Sequence, residues 1–79
     1  MRLDKYLKVS RLIKRRTVAN EACDAGRVSV NGKVAKAGAD IKPGDEISIV
    51  FGDKTVSVKV LSVAETVKKE EAQLMYEYI

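Results

Sequence analysis

Leu3, Tyr6 and Leu7 stand at i, i+3 and i+4, while Arg2, Lys5 and Lys8 fall on the opposite side. This spacing predicts a short amphipathic helix of about two turns that frays near Ser10. A second helix is expected over residues 18–25, with Val18, Ala19, Ala22 and Cys23 on one face and Asn20, Glu21 and Asp24 on the other. Gly26 follows where helices often close in the left-handed conformation. Thr17 is the expected N-cap, with Asn20 or Glu21 near the reciprocal position; Arg16 as first helical residue fits equally. Small side chains on the inner face let this helix approach its neighbour closely, and Cys23 reads as a small buried hydrophobe.

The period then changes from helical to alternating. Val28 and Val30 flank polar Ser29, and Asn31-Gly32 is a strong hairpin signal. Residues 33–36 form the expected return strand. KAGADIKPGDEI reads as a loop with a tight Pro43-Gly44 turn. ISIVF (47–51) and TVSVKVLSV (55–63) alternate as strands around Gly52-Asp53-Lys54. Val56, Val58 and Val60, with Leu61 or Val63, are the inward positions. In KKEEAQLMYEYI, helical spacing returns at Ala72, Met75, Tyr76 and Ile79, which predicts a helix over 70–79. It is expected to complete the core, with Leu74 and Tyr78 left for a protein partner. The expected architecture is α+β: two N-terminal helices packed on a small, mostly antiparallel sheet, closed by a C-terminal helix. Residues 1–79 are expected to form a single domain.

Composition narrows the chemistry. With one cysteine and no histidine, neither a disulfide framework nor a Cys/His zinc site is available. Ser–His and Cys–His nucleophile pairs are excluded as well. No carboxylate pair has a recognisable catalytic setting, and no glycine-rich cofactor loop is present, so neither catalysis nor a cofactor is expected. No apolar run approaches the roughly 18 residues of a membrane span. The charged opening MRLDKYLKV lacks an apolar signal core, and a cytoplasmic location is expected.

Charge is unevenly placed. Residues 1–36 carry ten Lys/Arg against three acids, and residues 37–79 carry five against eight, within a net charge of +4. The first half therefore points to a polyanion partner, and the acids of the second half are expected to face away from it. Within RLIKRRT (11–17) four cations occur in six residues with no acid among them. Leu12 and Ile13 anchor this segment to the core, so that Arg11, Lys14, Arg15 and Arg16 project outward. RNA phosphates supply the missing counter-charge, and a guanidinium can grip one with two hydrogen bonds. Amides at the start of the second helix add positive potential. The four aromatic residues, Tyr6, Phe51, Tyr76 and Tyr78, are scattered and do not interleave with the basic cluster, which argues against a base-stacking platform.

Several motifs together resemble the S-four RNA-binding domain family. They are Arg2-Leu3-Asp4 at the first helix, Arg11, Arg16 at the second helix, Ala19, and Gly26-Arg27-Val28-Ser29-Val30-Asn31-Gly32, extended by Pro43-Gly44-Asp45. The full length is similar to small stand-alone, ribosome-associated members. The resemblance implies docking on structured ribosomal RNA of the large subunit, with tRNA as a further contact. It also implies a role in quality control of stalled nascent chain–tRNA complexes, in support of template-free C-terminal tailing and alongside other quality-control factors. The RNA contacts carried over are Arg2, Lys5, Arg11 and Arg16, with Lys8, Lys14, Arg15 and Thr17 extending the surface. Many members have a small hydroxyl residue where Arg15 stands. Asp4 is expected to form an internal salt bridge that orients Arg11 or Arg16, since a carboxylate repels phosphate. A monomer with no metal and no membrane partner is expected. The competing reading is an adaptor whose basic face binds an acidic protein, and duplex DNA is a third possible polyanion.

Overall fold

The computed structural model describes residues 1–64 and 67–79. Helix α1 spans Leu3–Val9 and α2 spans Arg16–Asp24. Strands β1 (Val28–Val30), β2 (Lys33–Val34), β3 (Glu46–Phe51) and β4 (Lys54–Val60) follow; a 3₁₀ helix, Lys69–Leu74, leads into β5 (Tyr76–Tyr78). The five strands form one antiparallel sheet in the order β2-β1-β3-β4-β5. The α+β architecture with two N-terminal helices is therefore present.

Alternation along the strands decides which face is covered. Val28, Ile47, Ile49, Val58 and Val60 are buried, and they pack with Leu3, Tyr6, Leu7, Ala19 and Cys23 of the helices. The other face carries short hydroxyls: Ser29, Ser48 and Ser57 lie in one cross-strand row, with the Ser48 and Ser57 hydroxyls 3.1 Å apart. Beside them, Lys59 pairs with Glu46 on one strand and Glu77 on the other. These acids thus lie on the sheet face away from the helices.

Turn chemistry sets the register. Asn31 (φ 52°) and Gly32 (φ 84°) both take positive φ, as a two-residue type I′ hairpin requires. Asn31 also ties this turn to the next one. Its Nδ2 donates to Asp45 Oδ1 at 3.1 Å, and its Oδ1 accepts from the Glu46 N–H at 2.9 Å. Asp45 is accordingly buried, and its other oxygen accepts from the Lys42 N–H at 3.1 Å across the Pro43-Gly44 turn.

Helix α1 has no side-chain cap. Its Leu3 and Asp4 N–H groups donate instead to the carbonyls of Ala39 and Ala37, at 2.8 and 3.2 Å. These bonds satisfy donors that a helix start leaves open and fasten α1 to the 37–41 loop.

Three expectations need correction. The segment expected as a helix over 70–79 is one short 3₁₀ helix followed by an edge strand. Ala72 and Met75 are buried as predicted, but Ile79 is exposed. Tyr76-Glu77-Tyr78 also satisfies a two-residue period, and β4 offers it backbone partners, so pairing outweighs local helical preference. Strand β4 ends at Val60, leaving Leu61 and Val63 exposed rather than inward. Val18, grouped on one face with Ala19, Ala22 and Cys23, is 46% exposed, because the buried stripe of α2 is Ala19 and Cys23 and Val18 lies about 100° around the helix from Ala19.

Candidate nucleic-acid interface

The expected cations are distributed over α1, the interhelical loop and the first turn of α2. Arg2 precedes α1, and Lys5 and Lys8 follow at helical spacing along it. Arg2, Lys8, Arg11, Lys14, Arg15, Arg16 and Thr17 are exposed, and Lys5 is half-buried. Ile13, in the middle of the loop, is 5% exposed and belongs to the core, so the apolar anchor expected within RLIKRRT is present.

Asp4 organises the junction. It is buried, yet its carboxylate faces three side-chain donors. Arg2 Nε donates to Oδ1 at 3.1 Å; Arg16 Nε lies 3.4 Å from Oδ2; Asn20 Nδ2 donates to Oδ2 at 3.4 Å. The Lys5 N–H adds a fourth bond, to Oδ1 at 2.8 Å. The expected salt bridge to Arg16 is therefore present. The second partner is Arg2, while Arg11 makes no ion pair among the described residues. Both guanidinium groups stay about half exposed, with side-chain accessibilities of 55% for Arg2 and 48% for Arg16. One edge of each is held and donors remain for a ligand. The fold thereby aims two cations from separate elements at a shared surface.

Burial pushes the Asp4 pKa upward, but hydrogen bonds from Arg2, Asn20 and Arg16 outweigh it and hold the group below its ordinary 3.8. The stability this carboxylate adds is complete above that ordinary value and lost as pH falls through the lower folded value. Asp4→Asn is expected to destabilise the fold by about 1–2 kcal/mol at neutral pH, discounted for the exposed partners. The gap between variant and parent should close as acid melts are carried below about pH 4. RNA affinity should also fall, although the substitution makes the protein more positive, because Arg2 and Arg16 lose their anchor. Tighter RNA binding by the variant would refute this role for Asp4.

Arg11 holds a left-handed backbone conformation, φ 63°. It follows Ser10, the C-cap of α1, and its N–H donates to the Lys8 carbonyl at 3.1 Å. Glycine is the usual residue there, since a side chain costs about 1–2 kcal/mol in this conformation. Arg11→Gly should therefore raise stability by about 0.5–1 kcal/mol in denaturant melts while weakening RNA binding. A destabilised variant would show that the Arg11 side chain packs rather than projects.

Of the two starts expected for α2, the structure has Arg16 as first helical residue and not a Thr17 cap. Arg15 is the N-cap in extended conformation (φ −121°, ψ 134°), and no side chain bonds to the open amides. Thr17 lies inside the first turn. An open cleft of about 360 Å³ lies here, lined by Asp4, Arg16, Thr17, Asn20 and Glu21. Uncapped amides, a nine-residue helix and adjoining cations suit a phosphate oxygen. Asn20, placed on the polar face by its spacing, was not foreseen as a partner of Asp4; no local pattern marks it.

Comparison with known proteins follows the same residues. The S4 domain profile matches residues 1–47, which contain both helices and every expected contact. The chain belongs to the S4 domain family. A factor from Halalkalibacterium halodurans named RQC P-site tRNA stabilizing factor is 64% identical, over 98% of this chain and 88% of the relative. The factor of the same name from Bacillus subtilis is 62% identical, over 96% of this chain and 88% of its own length. Among solved structures, heat shock protein 15 of Vibrio cholerae, described as trimeric, superposes with a TM-score of 0.92 at 28% identity, covering 100% of this chain and 81% of that one. Most of β3, β4, the closing 3₁₀ helix and β5 lie beyond the profile match, whereas the match to the two relatives extends over 98% and 96% of this chain.

Cys23 is a packing residue of this S4 domain, as expected. It is fully buried, and burial, with Asp4 and Asp24 adding negative potential, pushes its thiol up to about 11. It is protonated at neutral pH and has no nucleophile's setting. No cluster of metal-ligating side chains occurs among the described residues. No described helix is long and apolar enough to cross a membrane.

Proposed function

We propose that this protein binds RNA in ribosome quality control. It docks on structured ribosomal RNA of the large subunit beside the tRNA that still holds a stalled nascent chain, and so supports template-free tailing of that chain. The observation that carries the reading is the Asp4-centred junction, which holds Arg2 and Arg16 on one carboxylate, with Arg16 lining the cleft, while Arg11, Lys14 and Arg15 remain exposed. The curated relatives bear the name of a factor that stabilises P-site tRNA, and their match extends over nearly the whole chain. Backbone and shape recognition suit A-form RNA, whose major groove hides base edges. The protein acts as a single S4-type unit, as a monomer and by binding rather than catalysis. The contacts are Arg2, Lys5, Lys8, Arg11, Lys14, Arg15, Arg16 and Thr17.

Sedimentation of the tagged protein from cells with stalled translation tests this. It should travel with large subunits that retain tRNA and leave them as salt is raised. Retention on the same protein partners after ribonuclease treatment would replace this reading with the acidic-protein adaptor.

A further inference from the structure

A groove of about 400 Å³ runs between α2 and the β3–β4 turn. Its floor is Ile13, the buried residue of the cationic loop. Its walls are Val18, Ala22 and Phe51; Val18 and Phe51 are 46% and 43% exposed, so neither is consumed by the core. Exposed Arg27 lines it too, and exposed Lys14 and Arg15 are the next two residues after Ile13. Lys54 pairs with Phe51 across the turn, which Gly52 closes at φ 59°. Glu21 lines this groove and also the cleft of Asp4, Arg16, Thr17 and Asn20, so the two sites share a wall.

The surface thus combines an apolar slot, one aromatic face, a cationic surround and a single carboxylate. An aliphatic protein side chain would fill the slot but leave the surrounding cations without counter-charge. A nucleotide matches every part: the flat face of its base can stack on an aromatic ring, the base edge carries N–H donors, and its phosphate is anionic.

We propose that this groove receives one nucleobase splayed out of the RNA held by the cationic surface, an inference that rests on the RNA-binding reading above. Phe51 stacks on the base, Val18 and Ala22 flank it, and Arg27 meets the adjoining phosphate. The Glu21 carboxylate offers only acceptors, so it selects an edge rich in donors. Guanine, with adjacent imino and amino N–H groups, is favoured over uracil. The aromatic residue that sequence spacing separated from the basic cluster is thus brought beside it by the β3–β4 turn.

Two RNA hairpins, one fully paired and one with a single bulged guanine, test the proposal by titration across a salt series. The parent protein should prefer the bulged hairpin. Phe51→Ala should weaken that complex by roughly 5- to 100-fold, leave the paired hairpin unaffected, and keep the salt slope unchanged because every phosphate-binding cation is still in place. Glu21→Gln should reduce the preference for a bulged guanine over a bulged uracil. Thermal melts accompany each variant; if Phe51→Ala melts early, Val18→Ala at the exposed wall should show the same selective loss. Equal losses on both hairpins, or no loss on either, would overturn the groove as a base site. So would intact binding of the bulged hairpin by a Phe51→Ala protein that no longer follows ribosomal particles, which would assign the groove to a protein. Failure of RNA binding as such shows separately, as a parent protein with no salt-dependent affinity for either hairpin.

Discussion

Replacing Arg11, Arg15 and Arg16 together by Ala should flatten the salt dependence of RNA binding by about three units of log–log slope, one for each phosphate left without its cation. The three residues enter through different local structures. Arg11 stands at the left-handed close of α1, Arg15 at the extended N-cap of α2, and Arg16 in the first turn of α2, against Asp4. Arg11 and Arg15 make no ion pair among the described residues, so their removal takes cations from the surface without exposing a partner. Arg16→Ala has a second effect, since it removes a donor from the buried Asp4 carboxylate. The single Arg16 variant should therefore lose some stability, whereas the single Arg15 variant should melt like the parent. Filter-binding titrations over a range of salt give the slope, and an unchanged slope in the triple variant would remove this loop from the interface.

Ending the chain at Lys68 should abolish cooperative thermal unfolding. The 3₁₀ helix and β5 are small, but they bury Ala72 and Met75. The Met75 carbonyl also accepts the hydroxyl hydrogen bond of Tyr6, at 2.7 Å, in the fully buried interior. Burial pushes the Tyr6 pKa well above its ordinary value, with nearby Tyr76 adding to the shift, so this hydroxyl stays a donor at neutral pH. Loss of a buried Met side chain costs about 2–5 kcal/mol, and a stranded buried hydroxyl about 1–3 kcal/mol more. Their sum rivals the roughly 5–15 kcal/mol that holds an ordinary domain together. Circular dichroism melts decide the matter. A truncated protein that still melts sharply would confine the segment to partner binding, through exposed Leu74 and Tyr78.

The parts legible in the sequence were those that depend on local chemistry. Asn31-Gly32 specifies its turn because few other pairs adopt positive φ twice, and that turn sets the pairing of β1 with β2. Leu3, Tyr6 and Leu7 place α1 by spacing alone. The cation cluster could be read from the placement of charge, and Asp4 as a salt-bridging acid from the family resemblance, since a carboxylate among phosphate-binding residues requires another purpose. What could not be read depends on distant segments. Tyr76-Glu77-Tyr78 obeys either period, and only the free edge of β4 decides between them. Nothing near Arg11 announces a left-handed residue, because the usual glycine is absent. Phe51 reaches the side of α2 through a turn thirty-odd positions downstream, beyond any window of local pattern.

Two guanidinium groups resting on one carboxylate have a thermodynamic corollary. Folding has already restricted Arg2 and Arg16, so a ligand meets them assembled and spends less of its attraction on immobilising long, rotamer-rich chains. Association should then resemble rigid docking, with little ordering of the helical pair on contact. An acid embedded among cations serves here less as a charge than as a scaffold.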